Sequence, residues 1–285
     1  MSDLNYWNTH NKEPVPVHNI LKFRLETVLD DLKISKYNRE FYDLFITKEL
    51  DPITCGATSV RQGVKVGIPE YYQAASSNGI KVANSTIHRT KIPWSSEEGE
   101  KLLQSLSLSE AAQKFAMAQA ILMGDNYYHF FNASFPPFFC WGYLVFTQKI
   151  LSYKKMHLRS SLFTLSTYIL TGIVLAAAYV FCDNVLYLQY DKVTFEDALK
   201  ISHSYILGGI EYYEKQVERN KALRNIIKGG DNYYDEDGDS TSILSPTGLP
   251  SSVKLILAKE QLKEYSFHEE AMTPPPVNPD PYPIH

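Results

Sequence analysis

The sequence predicts an α-helical membrane hairpin of two transmembrane helices. It carries a membrane-attached α+β soluble portion and ends in a disordered proline-rich tail. Three observations lead there. Two runs without formal charge, residues 126–148 and 160–182, are each slightly longer than the ~20 residues that cross the hydrocarbon core of a bilayer. The segment between them, "KILSYKKMHLR" over 149–159, holds Lys149, Lys154, Lys155 and Arg159 and no acid. Outside these runs the chain is polar, with 28 basic and 32 acidic residues among 285. A Lys or Arg at mid-bilayer costs roughly 2.5–3.5 kcal/mol on the insertion scale. The basic segment is therefore a turn outside the lipid, with two spans meeting at it. Burying both runs as core helices of a soluble protein would need a larger surrounding domain than the remaining residues supply.

Residues 1–125 form the first soluble region. The opening "MSDLNYWNTHNKEPVPVHN" has no basic stretch followed by an apolar core, so it does not read as a secretory signal, and it lacks the Arg-rich amphipathic pattern of a transit peptide. "NILKFRLETVLDDLKI" places Ile20, Leu21, Leu25, Val28, Leu29 and Leu32 on one helical stripe. Between Thr47 and Thr90, "VKVGIPEYY" and "IKVANSTI" alternate β-branched residues and read as short strands. In "SLSLSEAAQKFAMAQAILMG", Ser107 and Glu110 form an S-x-x-E capping box. Leu108, Ala111, Ala112, Phe115, Ala118 and Leu122 then make the buried face of an amphipathic helix that stops at Gly124.

The hairpin occupies 126–189. Tyr127, Tyr128, Tyr153, Tyr187 and Tyr190 fall near the expected interfaces, where amphipathic rings settle. Pro136 and Pro137 kink the first span, and Gly172 with Ala176 offers a small-xxx-small face for close helix approach. Residues 190–230 read as soluble helices, one starting at Thr194 and Asp197 and another lying between the Gly208-Gly209 and Gly229-Gly230 pairs. From 231 to 285 the chain is acidic and then proline-rich, and largely irregular.

Motifs for chemistry are missing. There is no HExxH, P-loop, GxSxG or strand-linked GxGxxG. "DEDGD" superficially suggests a calcium loop, but aligning Gly238 with the invariant glycine puts Tyr233 and Leu244 at the first and last ligand positions. Three cysteines without CxxC spacing give neither a disulfide framework nor a zinc site. A net charge of −4 excludes a basic field for nucleic acid. No catalytic residue, metal, cofactor or small-molecule substrate is indicated. His129, near the start of the first span, is the one ionisable group there with a functional reading. Of the sequons at Asn84 and Asn132, the second lies within a span and is unusable.

Several blocks together resemble the transmembrane protein 177 family: "VGIPEYY" at 66–72, Trp94, "SLSLSEAAQKFAMAQ" at 105–119, the two apolar runs, "GGIEYYEK" at 208–215 and "NKALRNII" at 220–227. The resemblance implies a multi-pass protein of the mitochondrial inner membrane. It also implies a non-enzymatic role in stabilising newly made cytochrome c oxidase subunit 2 together with that subunit's membrane chaperone, and no catalytic residues to carry over. Members of the family carry a further hydrophobic segment before the region matching Asn19, which this sequence does not show. Their basic tail is replaced here by an acidic, proline-rich end.

For a scaffold of this kind, close packing in lipid points to Gly142, Ser166, Thr167, Thr171 and Gly172 as partner contacts within the hairpin. On the soluble side the candidates are Gly208, Gly209, Glu211 and Tyr213. Two other readings compete. One is a catalytically dead relative of membrane metallopeptidases, since the helix that would need two histidines reads "FAMAQAILM". The other is an oligomeric channel, for which the spans supply no charged lining. The positive-inside rule puts the basic turn in the matrix and both soluble portions in the intermembrane space.

Overall fold

The computed structural model describes residues 15–74, 77–83, 86–87, 90–153, 160–241 and 248–272. Helix α1 (Asn19–Asp31) turns Leu21, Leu25, Val28 and Leu29 inward, while Ile20 stays exposed. A three-stranded sheet follows, with β1 (Tyr42–Thr47), β2 (Ile53–Gly56) and β3 (Val64–Pro69) in the order β1-β3-β2. Central β3 pairs parallel with β1 and antiparallel with β2, which leaves β2 at an edge. Val64, Val66 and Ile68 are buried on one face of β3. On the other, Lys65 is exposed while Gly67 is covered by the Ile53 and Phe45 side chains, so both faces are packed beyond the first residues of the strand.

Helices α2 (Ser77–Ala83) and α3 (Glu97–Leu106) flank a two-residue ribbon of β4 (Thr86–Ile87) and β5 (Thr90–Lys91). Helix α4 (Glu110–Gly124) then runs through the middle of the domain. Thr54 Oγ1 donates to the Ala120 carbonyl at 2.6 Å, tying α4 to the sheet. On its other side Phe115 meets Tyr212 and Tyr213 of α7 (His203–Ile226). Ala112, Phe115, Ala116, Met117, Ala118, Ala120 and Ile121 are all buried. The helix is thus wrapped on every side rather than amphipathic, which its alanines permit by letting neighbours approach. At its end Gly124 abuts Val64 and Thr54, so the glycine serves packing against the sheet.

Helices α5 (Tyr128–Ser152) and α6 (Ser161–Leu199) lie antiparallel. Tyr143 reaches the Tyr168 carbonyl, Phe139 meets the Tyr179 ring, Asn132 donates to Asp183, and Tyr128 packs on Tyr187 and Tyr190. Among the described residues, α6 is the one helix both long and apolar enough to cross a membrane, and only 6% of its most apolar stretch is buried. A core helix of a soluble protein would be mostly buried, so this surface has the character of one that faces lipid. Helix α5 falls short of the same measure; its sequence includes His129, Asn132, Pro136, Pro137 and Gln148 among its apolar residues. The protein is therefore mainly helical with a few strands, and among the described residues it has one membrane-competent helix.

Four local expectations are corrected. The capping box is displaced: Ser107 ends α3, and Ser109 caps α4 by accepting from the Ala112 amide. "IKVA" belongs to α2, because tertiary context overrides its β-branched pattern. Thr194 does not begin a helix. It lies inside the 39-residue α6 and returns its hydroxyl to the Asp191 carbonyl, since nothing at 183–193 breaks the helical backbone. The tail is not uniformly irregular, for α8 spans Ser251–Met272 and seats Lys254 and Ala258 against the core. The sequon at Asn84, the tip at 154–159 and the last thirteen residues lie outside the described residues.

Candidate functional site

Where the α5/α6 pair joins the soluble domain, the chain encloses a cleft of about 570 Å³. Its floor is α4, whose spacing of three and four residues presents Ala116, Gln119, Ala120 and Met123 in succession. The pair contributes Tyr128 and His129 from α5 and Tyr187, Asp191 and Thr194 from α6. Tyr212, Tyr213 and Gln216 of α7 stand opposite, the segment 51–54 forms one rim, and residues 248–251 with Lys254 form another.

Two ion pairs brace the walls. Asp191 and Lys254 meet at 2.8 Å with side chains only 10% and 9% exposed. The Asp191 carboxylate also accepts from the Leu249 amide at 2.7 Å and from Gln119 Nε2 at 3.2 Å. Gln119 Oε1 in turn accepts from the Tyr213 hydroxyl at 2.6 Å, so the network runs from α6 through α4 to α7. A side chain at Gly248 would collide with the Asp191 carboxylate, which fixes glycine at that point of the rim. Lys254 Nζ sits 5.2 Å from the centre of the Tyr213 ring, a cation–π contact that steadies the buried charge.

The second pair is bidentate. Arg219 donates to both Asp51 oxygens at 2.7 and 2.8 Å and to the Leu50 carbonyl at 3.1 Å. Tyr212 adds a hydroxyl to Asp51 at 2.9 Å. Burial pushes the Asp51 carboxyl upward, but the Arg219 charge and hydrogen bonds, joined by Tyr212 and Gln216, outweigh it and hold the group below the usual carboxylate range. Burial, with carboxylates nearby, drives the Tyr212 and Tyr213 phenols well above their ordinary range. Both rings are therefore neutral donors at any physiological pH. Among the described residues no three His, Cys, Asp or Glu side chains are grouped to hold a metal.

The sequence-proposed contacts divide between two places. On the helical pair, Gly172 faces Tyr143 of α5, Thr167 is buried with its hydroxyl returned to the Phe163 carbonyl, and Ser166 is exposed. Thr171 is half-buried, and Gly142 is buried although a side chain there would meet nothing within 4 Å. On the soluble side all four residues serve internal packing. Gly208 lies against the Ala111 carbonyl and Gly209 against Phe115 and Leu199. Glu211 accepts from the Ser109 amide at 2.9 Å and from its hydroxyl, capping α4, and pairs with Lys215. Tyr213 is 2% exposed. Gly208, Gly209 and Tyr213 are buried, and Glu211 keeps 29% of its side chain exposed. His129 does line the cleft, where its Nε2 is buried without a partner.

Sequence reasoning missed both ion pairs. Asp51 and Arg219 are separated by 168 positions and Asp191 and Lys254 by 63, so no local spacing betrays either. The available signal was Lys254 inside the apolar "VKLILA", a cation that burial would force to find an acid.

One helix long and apolar enough to cross a membrane, rooted in a mostly helical domain with a few strands and a braced cleft at the root, defines the class: a mainly helical protein with a candidate membrane span. The match to the family model described as Transmembrane protein 177 runs over residues 40–248, and the chain belongs to that family. The Xenopus laevis protein named Transmembrane protein 177 is 26% identical over 234 residues, covering 80% of this chain and 74% of its own. The Homo sapiens protein of that name is 28% identical over 244 residues, covering 82% and 74%. No solved structure matches.

Proposed function

We propose that this protein is a non-enzymatic assembly factor of the mitochondrial inner membrane that stabilises newly made cytochrome c oxidase subunit 2 beside that subunit's membrane chaperone. Membership of the transmembrane protein 177 family carries the reading. The long helix α6, with an apolar stretch only 6% buried, supplies a surface for lipid or for another membrane helix. In this reading α5 is a second span, its Pro136 and Pro137 tolerated because α6 lies alongside. The basic turn then lies in the matrix, and both soluble portions face the intermembrane space.

The α4 side chains that reach the cleft are an amide, a thioether and two methyl groups, from Gln119, Met123, Ala116 and Ala120. Such a surface suits holding a polypeptide better than turning over a substrate. Crosslinking in intact mitochondria followed by mass spectrometry tests the role. Oxidase subunit 2 and its chaperone are the expected products, and a reproducible set lacking both overturns it.

A further inference from the structure

We infer that the cleft is a peptide site, in which an extended, uncharged segment of a client membrane protein, lying just outside the bilayer, adds as a strand to the free edge of β2. The inference deepens the assembly role proposed above and rests on it. Four features of the cleft converge on this occupant.

The first is the edge itself. β3 pairs with one side of β2, and the other side of β2 has no strand beside it among the described residues. Ile53 and Thr54 of that strand line the cleft and are only half-buried, and Gly56 beyond them is exposed. An unpaired edge presents main-chain donors and acceptors in the register of another strand, the means by which extended peptides are captured.

The second is space. The cleft is open because α4 turns Ala116 and Ala120 toward it, where longer side chains would fill it. Its volume lies within the ~300–1,000 Å³ range of ligand sites.

The third is charge. Asp191 is paired with Lys254 and Asp51 with Arg219, and Asp239 accepts from the Ser252 amide and hydroxyl. Asp51, Asp191 and Lys254 are thus answered by opposite charges within the chain, and Asp239 is held by hydrogen bonds alone. Among the described residues the lining therefore leaves no free cation for a phosphate and a single unpaired carboxylate for a metal ion. In the same walls, His129 Nε2 and Gln216 Oε1 are buried without partners. Neutral amides of a peptide would satisfy them.

The fourth is position. Tyr128 and His129 begin α5, and Tyr187 and Asp191 close the soluble end of α6, so an entering segment comes from the membrane surface. The proline-rich segment 273–285 is a poor occupant. Six of the thirteen residues in "TPPPVNPDPYPIH" are proline, which has no amide to give to an edge.

The test places a photoreactive benzoylphenylalanine at Ile53 or Met123 of the full-length protein in native membranes, with Lys65, exposed on β3, as the control position. The expected products join Ile53 and Met123, but not Lys65, to a stretch of a membrane protein adjoining one of its transmembrane helices. A synthetic peptide of that stretch should then slow amide exchange at Ile53–Gly56 by at least about tenfold. The variant Ala120→Trp, filling the floor, should abolish the Met123 product. Should that variant misfold, the exchange measurement on the unaltered chain decides instead.

Products confined to residues 242–247 or 273–285 of the chain itself would overturn the inference, as would equal labelling from Lys65. The two claims can fail separately. If subunit 2 co-purifies while Ile53 and Met123 give no product, the peptide site is wrong and the assembly role stands. If the products form on a membrane protein outside the oxidase and exchange slows with its peptide, the assembly role is wrong and the site stands.

Discussion

The two halves of helix α6 follow opposite rules. Between Leu162 and Phe181 its large apolar side chains are exposed, Leu170 by 62% and Ile173 by 60%. Near its end, Phe195, Ala198 and Leu199 are buried while Lys192 and Glu196 face outward. One half leaves its grease for lipid to cover, and the other buries it in protein. The domain is thus held by the foot of α6 and its stem serves attachment. A substitution should be read by which half it strikes.

Loss of Phe195 should hurt most. Its ring is fully buried and packs edge-on against Tyr213 at 5.5 Å and Phe115 at 6.4 Å. Phe195→Ala removes the contact joining α6, α4 and α7 and should cost about 3–5 kcal/mol of stability. Thermal unfolding of the detergent-solubilised protein would register it. A change of a few tenths would show that the foot is not a structural joint. On the stem, Leu170→Arg touches no core and should leave that melting transition in place. It should instead weaken insertion by roughly 2.5–3.5 kcal/mol, read as a larger carbonate-extractable fraction from membranes. If extraction does not change, the exposed half is not in lipid.

A smaller effect is expected at Asp51, and it depends on pH. Asp51→Asn leaves the Arg219 guanidinium, 5% exposed, without its counter-charge. Since Asp51 is itself 37% exposed and partly screened by water, the cost falls to about 2 kcal/mol rather than the full penalty of a buried pair. The carboxyl is held below its ordinary value when folded, so its contribution is complete above the unfolded value of about 4. It is lost as pH falls through the lower folded value. Stabilities of the native chain and the variant should therefore differ at neutral pH and converge below about pH 4. A constant gap down to acid conditions would mean the carboxylate charge plays no part.

The same division explains what was legible in the sequence. The apolar stem could be read because lipid imposes a rule on each residue locally: no charge for about twenty positions. Tyr128, Tyr187 and Tyr190 could be placed near the membrane boundary for the same reason, and the structure gathers them in one aromatic cluster. The foot obeys no local rule. Glu211 stood out in the sequence as a candidate partner contact, yet it caps α4 across more than a hundred residues. Gly208 looked like a helix break, yet α7 runs straight through it because only a bare Cα fits against the Ala111 carbonyl. The cleft was invisible because its lining comes from seven separate stretches of chain, 51–54, 116–123, 128–129, 187–194, 212–216, 239–240 and 248–254. Only the composition of α4, rich in alanine beside bulky neighbours, hinted that something approaches it closely.

Gly142 gives the mildest and most discriminating comparison. It sits in α5, and a methyl group there would meet nothing within 4 Å, whereas one at Gly208 would strike backbone. If the helical pair alone sets the behaviour of the stem, Gly142→Ala should change stability by no more than about 0.5 kcal/mol, because Ala is at least as good a helix former. The empty space beside it has a second consequence. Gly142 is itself buried, but a partner helix seated in that space would be held off by an added methyl, which would then weaken that contact while the isolated protein melts unchanged. Co-purification and melting of the same variant separate the two. Loss of partner with an unaltered transition makes Gly142 part of a docking site, and no effect on either makes it an ordinary helix glycine.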